Sequence, residues 1–403
     1  MSQIPELPFR RVAFVMHYNW RFLFQRPHHL AQRFREAGVE TVVFEVSGIR
    51  SHLQNLLSPE AAGEQLAVAD RIWSTFHPHG LVRRFPSLAP ILEAPIRRSF
   101  DRFAARWIDD ETLLWIEGVT PALPPERILR SRRRLAILDV SDDIAGFFEG
   151  DPEAQARLLA CEDEAVRSVD GVVVTASRIH ERISRRNPHT LLVRNGVSQR
   201  FLDAGRAALE RPPSPAERPL VAYQGAIAEW FDFELVEAVV DALPDHDFAF
   251  MGRVLPGVAE RVARLAARPN VRMLGMLPHH ELPSRLVGAS CGIIPFRIND
   301  LILSTDPIKL YEYLGCGLPV VATPMPEVAQ RAEGGAVETA GDAGAFADAV
   351  RRAAACRSDR ALVERRLALA GENGWDGRFR DLCRFLASRA SAPAGRAAGG
   401  RAG

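Results

Sequence analysis

The sequence predicts an α/β protein with two doubly wound, Rossmann-like domains that face each other across a cleft. Three observations predict this fold class. Short apolar runs typical of buried strands alternate with amphipathic helical stretches along most of the chain. A proline-rich segment, residues 211–219, interrupts this alternation, which then starts again. The chain has 403 residues and is too long for one hydrophobic core.

The N-terminal half contains apolar runs that end in turn residues or in helical stretches. We predict strands at 11–16, 39–46, 113–116, 135–140, 171–175 and 191–193, and helices at 27–37, 91–107, 153–168 and 177–186. The remainder of residues 50–110 has no clear pattern. This half is predicted to form a domain over residues 1–205, followed by a linker over residues 206–219.

The C-terminal half repeats the same alternation. We predict strands at 220–224, 248–251, 270–274, 291–295 and 318–322, and helices at 233–242, 258–267, 281–287, 307–315, 343–355, 360–369 and 378–388. The predicted domain covers residues 220–375. A final helical segment covers residues 376–390. The last residues, 391–403, are almost all small, polar or basic, and we expect them to be disordered.

Composition excludes several classes of protein. A net charge of +1 gives no reason to expect nucleic acid as a partner. The five cysteines have no paired spacing, which argues against a disulfide framework or a cysteine zinc site. The N-terminus lacks the apolar region of a signal peptide, and no apolar run approaches the length of a membrane span. We therefore expect a cytoplasmic protein.

The most informative stretch is residues 304–321, whose pattern predicts a helix followed by a buried strand. Asp306 is a good N-cap and Pro307 suits the first helical position. Gly315 and Gly317 end the helix. Because a buried strand over 291–295 precedes it, the N-terminus of this helix should lie at a strand end. Ligands bind at such places in open α/β sheets, and a helix N-terminus favours anions.

Two polar residues of this helix allow two interpretations. Lys309 and Glu312 lie roughly opposite the face formed by Leu310, Tyr311 and Leu314. Lys309 is the only lysine in the chain, and its first-turn position opposes the helix dipole unless an anion lies nearby. The pair is either a solvated i, i+3 ion pair or part of an anion site.

Two further stretches lie at predicted strand ends. The loop over residues 17–29 is rich in aromatic and basic side chains, and is either a ligand-binding loop or a packed aromatic loop. Asp142 and Asp143 follow the strand at 135–140. They either line the cleft as polar groups that hydrogen-bond acceptor hydroxyls, or form an N-cap cluster for the next helix.

At this point the motifs resemble a known family. Phe296-x-x-Asn299, followed by DPIKLYEYLGCGLPVVATPMPEV, resembles the donor-site segment of retaining, family-4-like glycosyltransferases with the GT-B fold. The segment WRFLFQRPHHLAQRFREAG resembles a bacterial subgroup with an N-terminal Trp-x4-Gln-Arg-Pro-x-His signature. DVSDD, VVVTAS and RNGV match in order and spacing. The resemblance covers nearly all of residues 10–390, and implies that the final helix crosses back to the N-terminal domain.

The resemblance also implies roles for individual residues. Glu312 matches the second glutamate of the family's Glu-x7-Glu motif, which contacts the donor ribose, whereas Ser304 replaces the first glutamate. The family's usual Arg and Lys pair after the first strand of this domain is absent, which leaves Lys309 and Arg253 to hold the diphosphate. The implied catalytic residues are Glu312, Lys309 and Arg253. The implied donor site is Gly225, Arg253, Ser304, Thr305, Asp306, Pro307, Ile308, Lys309 and Glu312. The implied acceptor side is His17, Trp20, Gln25, Arg26, His28, Asp142 and Asp143.

The implied activity is transfer of a sugar from a UDP- or GDP-linked donor to a saccharide or lipid-linked acceptor, in exopolysaccharide or cell-envelope glycan synthesis. We see no DxD-type motif placed as a diphosphate clamp, and expect neither a cofactor nor a required metal ion. Peripheral association with the inner face of the cytoplasmic membrane is left open. Two alternatives share the architecture: a UDP-sugar 2-epimerase, and a non-catalytic scaffold that binds a sugar nucleotide.

Overall fold

The computed structural model describes residues 6–48, 63–148, 150–211, 217–332 and 335–391. These residues form two parallel sheets, one in each half of the chain. The two doubly wound domains predicted from the sequence are confirmed. Residues 392–403 of the predicted tail and residues 212–216 of the predicted linker lie outside the described residues.

The first sheet has seven parallel strands in the order β3-β2-β1-β4-β5-β6-β7, the strand order of a Rossmann-type domain. Strand β3 was not predicted from the sequence, because this edge strand is half-exposed and lacks a continuous apolar run. The strands are β1 Arg11–Met16, β2 Glu40–Gly48, β3 Arg71–His77, β4 Thr112–Glu117, β5 Leu135–Val140, β6 Gly171–Val174 and β7 Thr190–Leu192.

The helices of this half cover both faces of the sheet. They are α1 Arg26–Glu36, α2 Gly63–Ala67, α3 His79–Arg84, α4 Ala89–Leu92, α5 Ala94–Trp107, α6 Pro125–Ile128, α7 Pro152–Ser168 and α8 Ser177–Ser184. A further helix, α9 Gln199–Glu210, follows β7 and precedes the second sheet.

The second sheet has six parallel strands in the order β10-β9-β8-β11-β12-β13. Its strands are β8 Leu220–Gln224, β9 Asp247–Met251, β10 Val271–Gly275, β11 Cys291–Ile294, β12 Val320–Ala322 and β13 Val337–Thr339. Its helices are α10 Phe233–Ala242, α11 Ala259–Ala266, α12 Leu282–Leu286, α13 Asp300–Leu303, α14 Ile308–Gly315, α15 Pro326–Ala329, α16 Ala343–Ala355, α17 Arg360–Glu372 and α18 Trp375–Ser391. None of the described helices combines the length and the apolar character needed to cross a bilayer.

The central strands of the first sheet are buried on both faces, as expected for a parallel sheet. Along β1, Ala13 and Val15 enter one core, whereas Val12 and Phe14 enter the other, because successive side chains point to opposite faces. The second of these cores includes Phe379 and other buried residues of α18. The last helix of the chain therefore packs on the N-terminal domain.

Helix α9 packs on the C-terminal domain. Phe201 and Leu202 are buried in the core around the second sheet. Gly205 has no side chain, and a Cβ there would overlap the carbonyl oxygen of Gly315 at the end of α14. The predicted domain boundary at residue 205 falls inside this helix. The chain thus passes between the domains before α9, and not at the proline-rich segment 211–219.

Two chain segments cross between the domains side by side. Val197 pairs in parallel with Gly374 as an isolated bridge. The Val197 N–H donates to the carbonyl of Asn373 at 3.0 Å, and the Trp375 N–H donates to the carbonyl of Val197 at 3.1 Å. The chain segment that leaves the first domain and the segment that returns to it are therefore hydrogen-bonded to each other.

Replacing Gly205 with alanine should destabilise the protein by about 1–3 kcal/mol, the usual cost of overpacking a close contact. The added Cβ would also lie 2.6 Å from Cδ2 of Leu367 in α17. Chemical or thermal unfolding measures this change. Gly371→Ala, in α17 with no atom of the described residues within 4 Å of the added Cβ, is the matched control. Equal stability of the two variants would show that α9 does not pack as described.

Candidate active site

The candidate site lies where the carboxyl ends of the two sheets face each other. Lys309 stands in the first turn of α14, and its Nζ lies 4.4 Å from the ring centroid of Phe296 and 5.1 Å from that of Tyr223. Its ammonium also lies beside Gly225, where a Cβ would be 3.2 Å from Nζ. Gly225 has φ +118°, a conformation that favours glycine. The turn after β8 therefore both needs a glycine and leaves room for the lysine.

Lys309 is buried, at 8% exposure, so the solvated ion pair is excluded as an interpretation. Burial lowers the pKa of its ammonium to about 8, and the charges of Glu312 and Asp142 offset part of this effect. Within the described part of the chain, no carboxylate pairs with its Nζ at salt-bridge distance. The ammonium is instead held over two aromatic rings, a contact that favours a cation.

Glu312 is also buried and is held by two protein groups. Its Oε2 accepts a hydrogen bond from Nε2 of Gln224, at the end of β8. Its Oε1 lies 2.7 Å from Nε2 of His279, which precedes α12. Neither partner was predicted from the sequence, in which His279 lies in the segment PHHEL between β10 and α12. Because both oxygens have partners, the orientation of the carboxylate is fixed.

Asp306 does not cap the helix, and this prediction is wrong. The N-cap is Pro307, and Ile308 begins the helix. The Asp306 carboxylate accepts from the N–H of Asn195 at 2.6 Å and from the hydroxyl of Tyr311 at 2.8 Å. Burial raises the pKa of Asp306 to about 6. The carboxylate therefore ties the second domain to the turn at Asn195 rather than facing a ligand.

The remaining residues of the predicted donor segment lie just before α14 or at its start. Ser304 is buried, and Thr305 Oγ1 donates to the carbonyl of Leu301 at 2.9 Å and lies 3.3 Å from Oδ1 of Asp142. Pro307 is buried, and Ile308 packs against the core of the N-terminal domain. These residues thus contribute mainly backbone and packing at the place where the domains meet.

Arg253 reaches the first domain from the loop after β9. Its guanidinium carbon lies 5.2 Å from the ring centroid of Phe22, in the aromatic loop of the N-terminal domain. The neighbouring Gly252 lies so close to Gly225 that a Cβ would overlap its carbonyl oxygen. The loops that carry Arg253 and Gly225 are therefore in contact.

The aromatic loop after β1 is mainly packed inside the first domain. Trp20 is fully buried, and its Nε1–H donates to the carbonyl of Gln65 at 2.6 Å. His28 is bonded through its ring to the carbonyl of Trp20 at 2.7 Å and to the N–H of Gln25 at 3.0 Å. The Arg26 guanidinium pairs with Asp139 at 2.9 Å.

Contacts inside the protein explain the residues of the N-terminal Trp-x4-Gln-Arg-Pro-x-His signature. Trp20, Arg26 and His28 are buried and bound to protein groups, so the predicted direct acceptor contacts of these three residues are corrected to structural roles. Gln25 is half-buried at the start of α1. His17 is bonded to the carbonyl of Gly118, and burial lowers its pKa to about 4. The imidazole of His17 is therefore neutral at physiological pH.

Asp142 faces the second domain from the end of β5, and Asp143 directly precedes a short 3-10 turn, Ile144–Phe148. Burial, together with the charges of Asp306 and Asp143, raises the pKa of Asp142 to about 7. Its contact with Thr305 supports the cleft-lining interpretation over an N-cap role.

A second acidic residue near Asp142 was not predicted from the sequence. Glu117 ends β4, and burial together with the nearby Asp139 raises its pKa well above the ordinary range. Tyr18, close to Glu117, Asp139 and Asp142, has a pKa raised in the same way. A glutamate that closes an apolar strand, as in LLWIEG, was the available signal.

A buried cluster of aromatic and imidazole rings joins the domains behind Glu312. The His279 ring stacks on Phe24 with centroids 4.7 Å apart, and the His29 ring stacks on Trp375 at 4.7 Å. The rings of His29 and His279 are 5.5 Å apart. Burial and the charge of His279 lower the pKa of His29 well below its ordinary value. His29 was not among the predicted site residues.

Several polar contacts hold the two halves of the site together. Arg194 pairs with Glu327 at 2.6 Å, and Arg178 pairs with Asp300 at 2.8 Å. Gly146 lies so close to Leu301 that a side chain on this glycine would overlap it. The described arrangement is therefore a closed one, in which the strand ends of both sheets lie against each other.

Two doubly wound domains with a cationic helix N-terminus between them define a GT-B arrangement. Residues 219–355 match the family model described as Glycosyl transferases group 1. This match lies within the C-terminal half of the chain.

The comparisons with individual proteins agree. TuaH of Bacillus subtilis strain 168, a glycosyltransferase assigned to teichuronic acid biosynthesis, is 23% identical over 237 residues. That match covers 57% of this chain and 59% of TuaH, so the chain spans about three fifths of the length of this curated relative.

Solved structures extend the likeness to both domains. HepE of Anabaena, in complex with UDP and glucose, superposes with a TM-score of 0.66 at 14% identity, over 94% of this chain and 100% of HepE. TarM of S. aureus, in complex with fondaparinux, α-GlcNAc-glycerol and UDP, has a TM-score of 0.65 at 8% identity, over 93% of this chain and 99% of TarM. At these identities the likeness shows the GT-B fold.

Lys309→Met should stabilise the unliganded protein at neutral pH by on the order of 1–3 kcal/mol, because it removes a buried ammonium whose pKa is depressed to about 8. The folded pKa lies below the unfolded value of 10.5, so the unfolded chain binds more protons between about pH 8 and 10.5. The stability of the parent protein should therefore rise across that window, relative to Lys309→Met. Parallel stability curves for the two proteins would contradict the burial of this ammonium.

Proposed function

We propose that the protein is a retaining glycosyltransferase that moves a sugar from a nucleotide-diphosphate donor to a saccharide or lipid-linked acceptor in the synthesis of cell-envelope glycans. The observation that carries this proposal is Lys309: a buried ammonium without a carboxylate partner at salt-bridge distance among the described residues, in the first turn of α14 and beside Gly225. An anionic ligand at this point would complete the charge balance of the site.

Transfer from such a donor needs stabilisation of the diphosphate as it leaves. The N–H groups at the start of α14 and the Lys309 ammonium would supply it, since a helix N-terminus binds phosphate well. Arg253 would add a second cation from the neighbouring loop. Glu312, which is held by Gln224 and His279, would accept hydrogen bonds from the ribose hydroxyls.

Retention would follow a front-face route. In this route the leaving phosphate oxygen takes the proton of the acceptor hydroxyl, and no carboxylate nucleophile is needed. Asp142, on the opposite side of the closed cleft, would hydrogen-bond an acceptor hydroxyl. Ser304 stands where the related family has a sugar-contacting glutamate, so contacts to the donor sugar would come from other groups.

The relatives support the choice of donor and pathway. HepE and TarM were both crystallised with UDP, and HepE also with UDP-glucose, which favours a uridine nucleotide here. The assignment of TuaH to teichuronic acid biosynthesis favours an envelope glycan as the product. Association with the membrane surface would bring a lipid-linked acceptor to the cleft.

Incubation of the full chain with labelled UDP- and GDP-sugars tests the proposed function. Slow hydrolysis, or transfer to added acceptor glycans, is the expected result. An epimerised sugar would identify a 2-epimerase instead. Tight binding of nucleotide sugars with neither reaction, across a broad panel of acceptors, would leave only a binding scaffold.

Lys309→Ala should weaken UDP binding by roughly tenfold or more, the effect expected on loss of one charge-assisted contact, and leave uridine binding almost unchanged. Calorimetric titration measures both ligands. Arg261→Ala is a matched control, because this guanidinium also lies over an aromatic ring, that of Phe233, but on α11. Equal losses for UDP and uridine would remove Lys309 from the diphosphate site.

The proposed role of the Asp142 carboxylate can be tested by measuring activity as a function of pH. Its pKa of about 7 means that the group is neutral below this pH and charged above it. If the carboxylate orients the acceptor hydroxyl, kcat/KM for the acceptor should rise through about pH 7, since this ratio reports the free enzyme. In Asp142→Asn the rise should disappear and kcat/KM should stay low. An unchanged pH profile in this variant would exclude Asp142 from that role.

A further inference from the structure

We propose that His29, His279 and Glu312 form a divalent-cation site, of the kind zinc prefers, that links the two domains. One ring nitrogen from each histidine and one carboxylate oxygen of Glu312 lie within 4.8 Å of one another. Imidazole nitrogen and carboxylate oxygen are common zinc ligands. His29 comes from α1 of the first domain, whereas His279 and Glu312 come from the second.

The unpartnered nitrogens of this cluster support a missing ligand. Nε2 of His29 and Nδ1 of His279 are buried, and neither has a hydrogen-bond partner among the described residues. Buried polar atoms are nearly always satisfied, so two orphan nitrogens in one cluster need an explanation. A cation bound among the three side chains would give the His29 nitrogen its partner.

The side chains are held in place by surrounding groups, as in built metal sites. The His29 ring lies against Trp375 with the planes 16° apart, and the His279 ring lies against Phe24 with the planes 17° apart. The second oxygen of Glu312 is held by Gln224. Rigid rings and an oriented carboxylate lower the entropic cost of binding an ion.

Metal binding would need only a small adjustment. The present 2.7 Å contact between His279 Nε2 and Glu312 Oε1 would open, and the His29 nitrogen would move inwards, to give ligand distances of about 2.0–2.2 Å around a zinc ion. Three protein ligands leave a fourth position for water. Because all three side chains are buried, the ion would enter when the domains separate and would then hold them together.

The site shares Glu312 with the proposed ribose contact. If the proposed function holds, zinc and the donor nucleotide compete for this carboxylate, and zinc acts as a reversible inhibitor. The binding of zinc itself does not depend on the proposed function, so the two ideas can fail separately.

The test uses the full chain without an affinity tag, stripped with a chelator and titrated with Zn²⁺ alone. We expect one zinc ion per chain and a raised melting temperature. Replacement by Co²⁺ should give the visible spectrum of a site with nitrogen and oxygen ligands, without the intense thiolate band that a cysteine site would show. Absence of stoichiometric zinc binding, or a thiolate band, would overturn the proposal.

Variants locate the ion. His29→Ala should lose zinc binding and the thermal shift, and His29→Gln, which conserves size, should lose them too if the alanine variant unfolds. The matched control is His77→Ala, because His77, at the end of the edge strand β3, is a buried histidine 3.2 Å from a glutamate, Glu93. Zinc kept by the folded His29 variants, or lost by His77→Ala, would place the ion elsewhere and overturn the site.

Discussion

The helix that carries Lys309 and Glu312 is buried between the two domains, and this burial constrains the rest of the site. Every residue from Lys309 to Gly315 is buried. Each polar group on or before the helix must therefore find a partner inside the protein or in a ligand. Asp306 finds Asn195 and Tyr311, and Glu312 finds Gln224 and His279. The Lys309 ammonium lies over the rings of Tyr223 and Phe296, and its charge is available to a ligand.

The same constraint explains why the site includes parts of both sheets. Asn195, which serves Asp306 through its backbone and its side chain, comes from the end of the first domain. Asp142, whose charge supports the Lys309 ammonium, comes from the end of β5. The first domain thus helps to hold helix α14 of the second domain in place.

The sequence was sufficient to predict the fold. Apolar runs and the glycines that end them identify most of the strands. Lys309 and Glu312 are recognisable in the sequence as unusual residues for their helix, and their role in a site stays a prediction. The burial of the pair could not be predicted, because a wheel of the helix shows two faces but not the side chains of the same domain that cover the polar one. These are Tyr223, Phe296, Gln224 and His279. Asp306 was assigned to a cap for the same reason: its partner Asn195 is 111 residues away along the chain and is brought to it by the tertiary structure.

The two adjacent crossing segments at Val197 and Gly374 have a mechanical consequence. A single flexible tether would let the domains swing and twist in any direction. Two parallel tethers hydrogen-bonded to each other restrain twisting and leave one soft rotation, about an axis near the bridge. The cleft would then open by rotation about this single axis. Asn195, two residues from Val197 and bonded to Asp306, would move least in such a rotation, and contacts farther from the bridge would separate further.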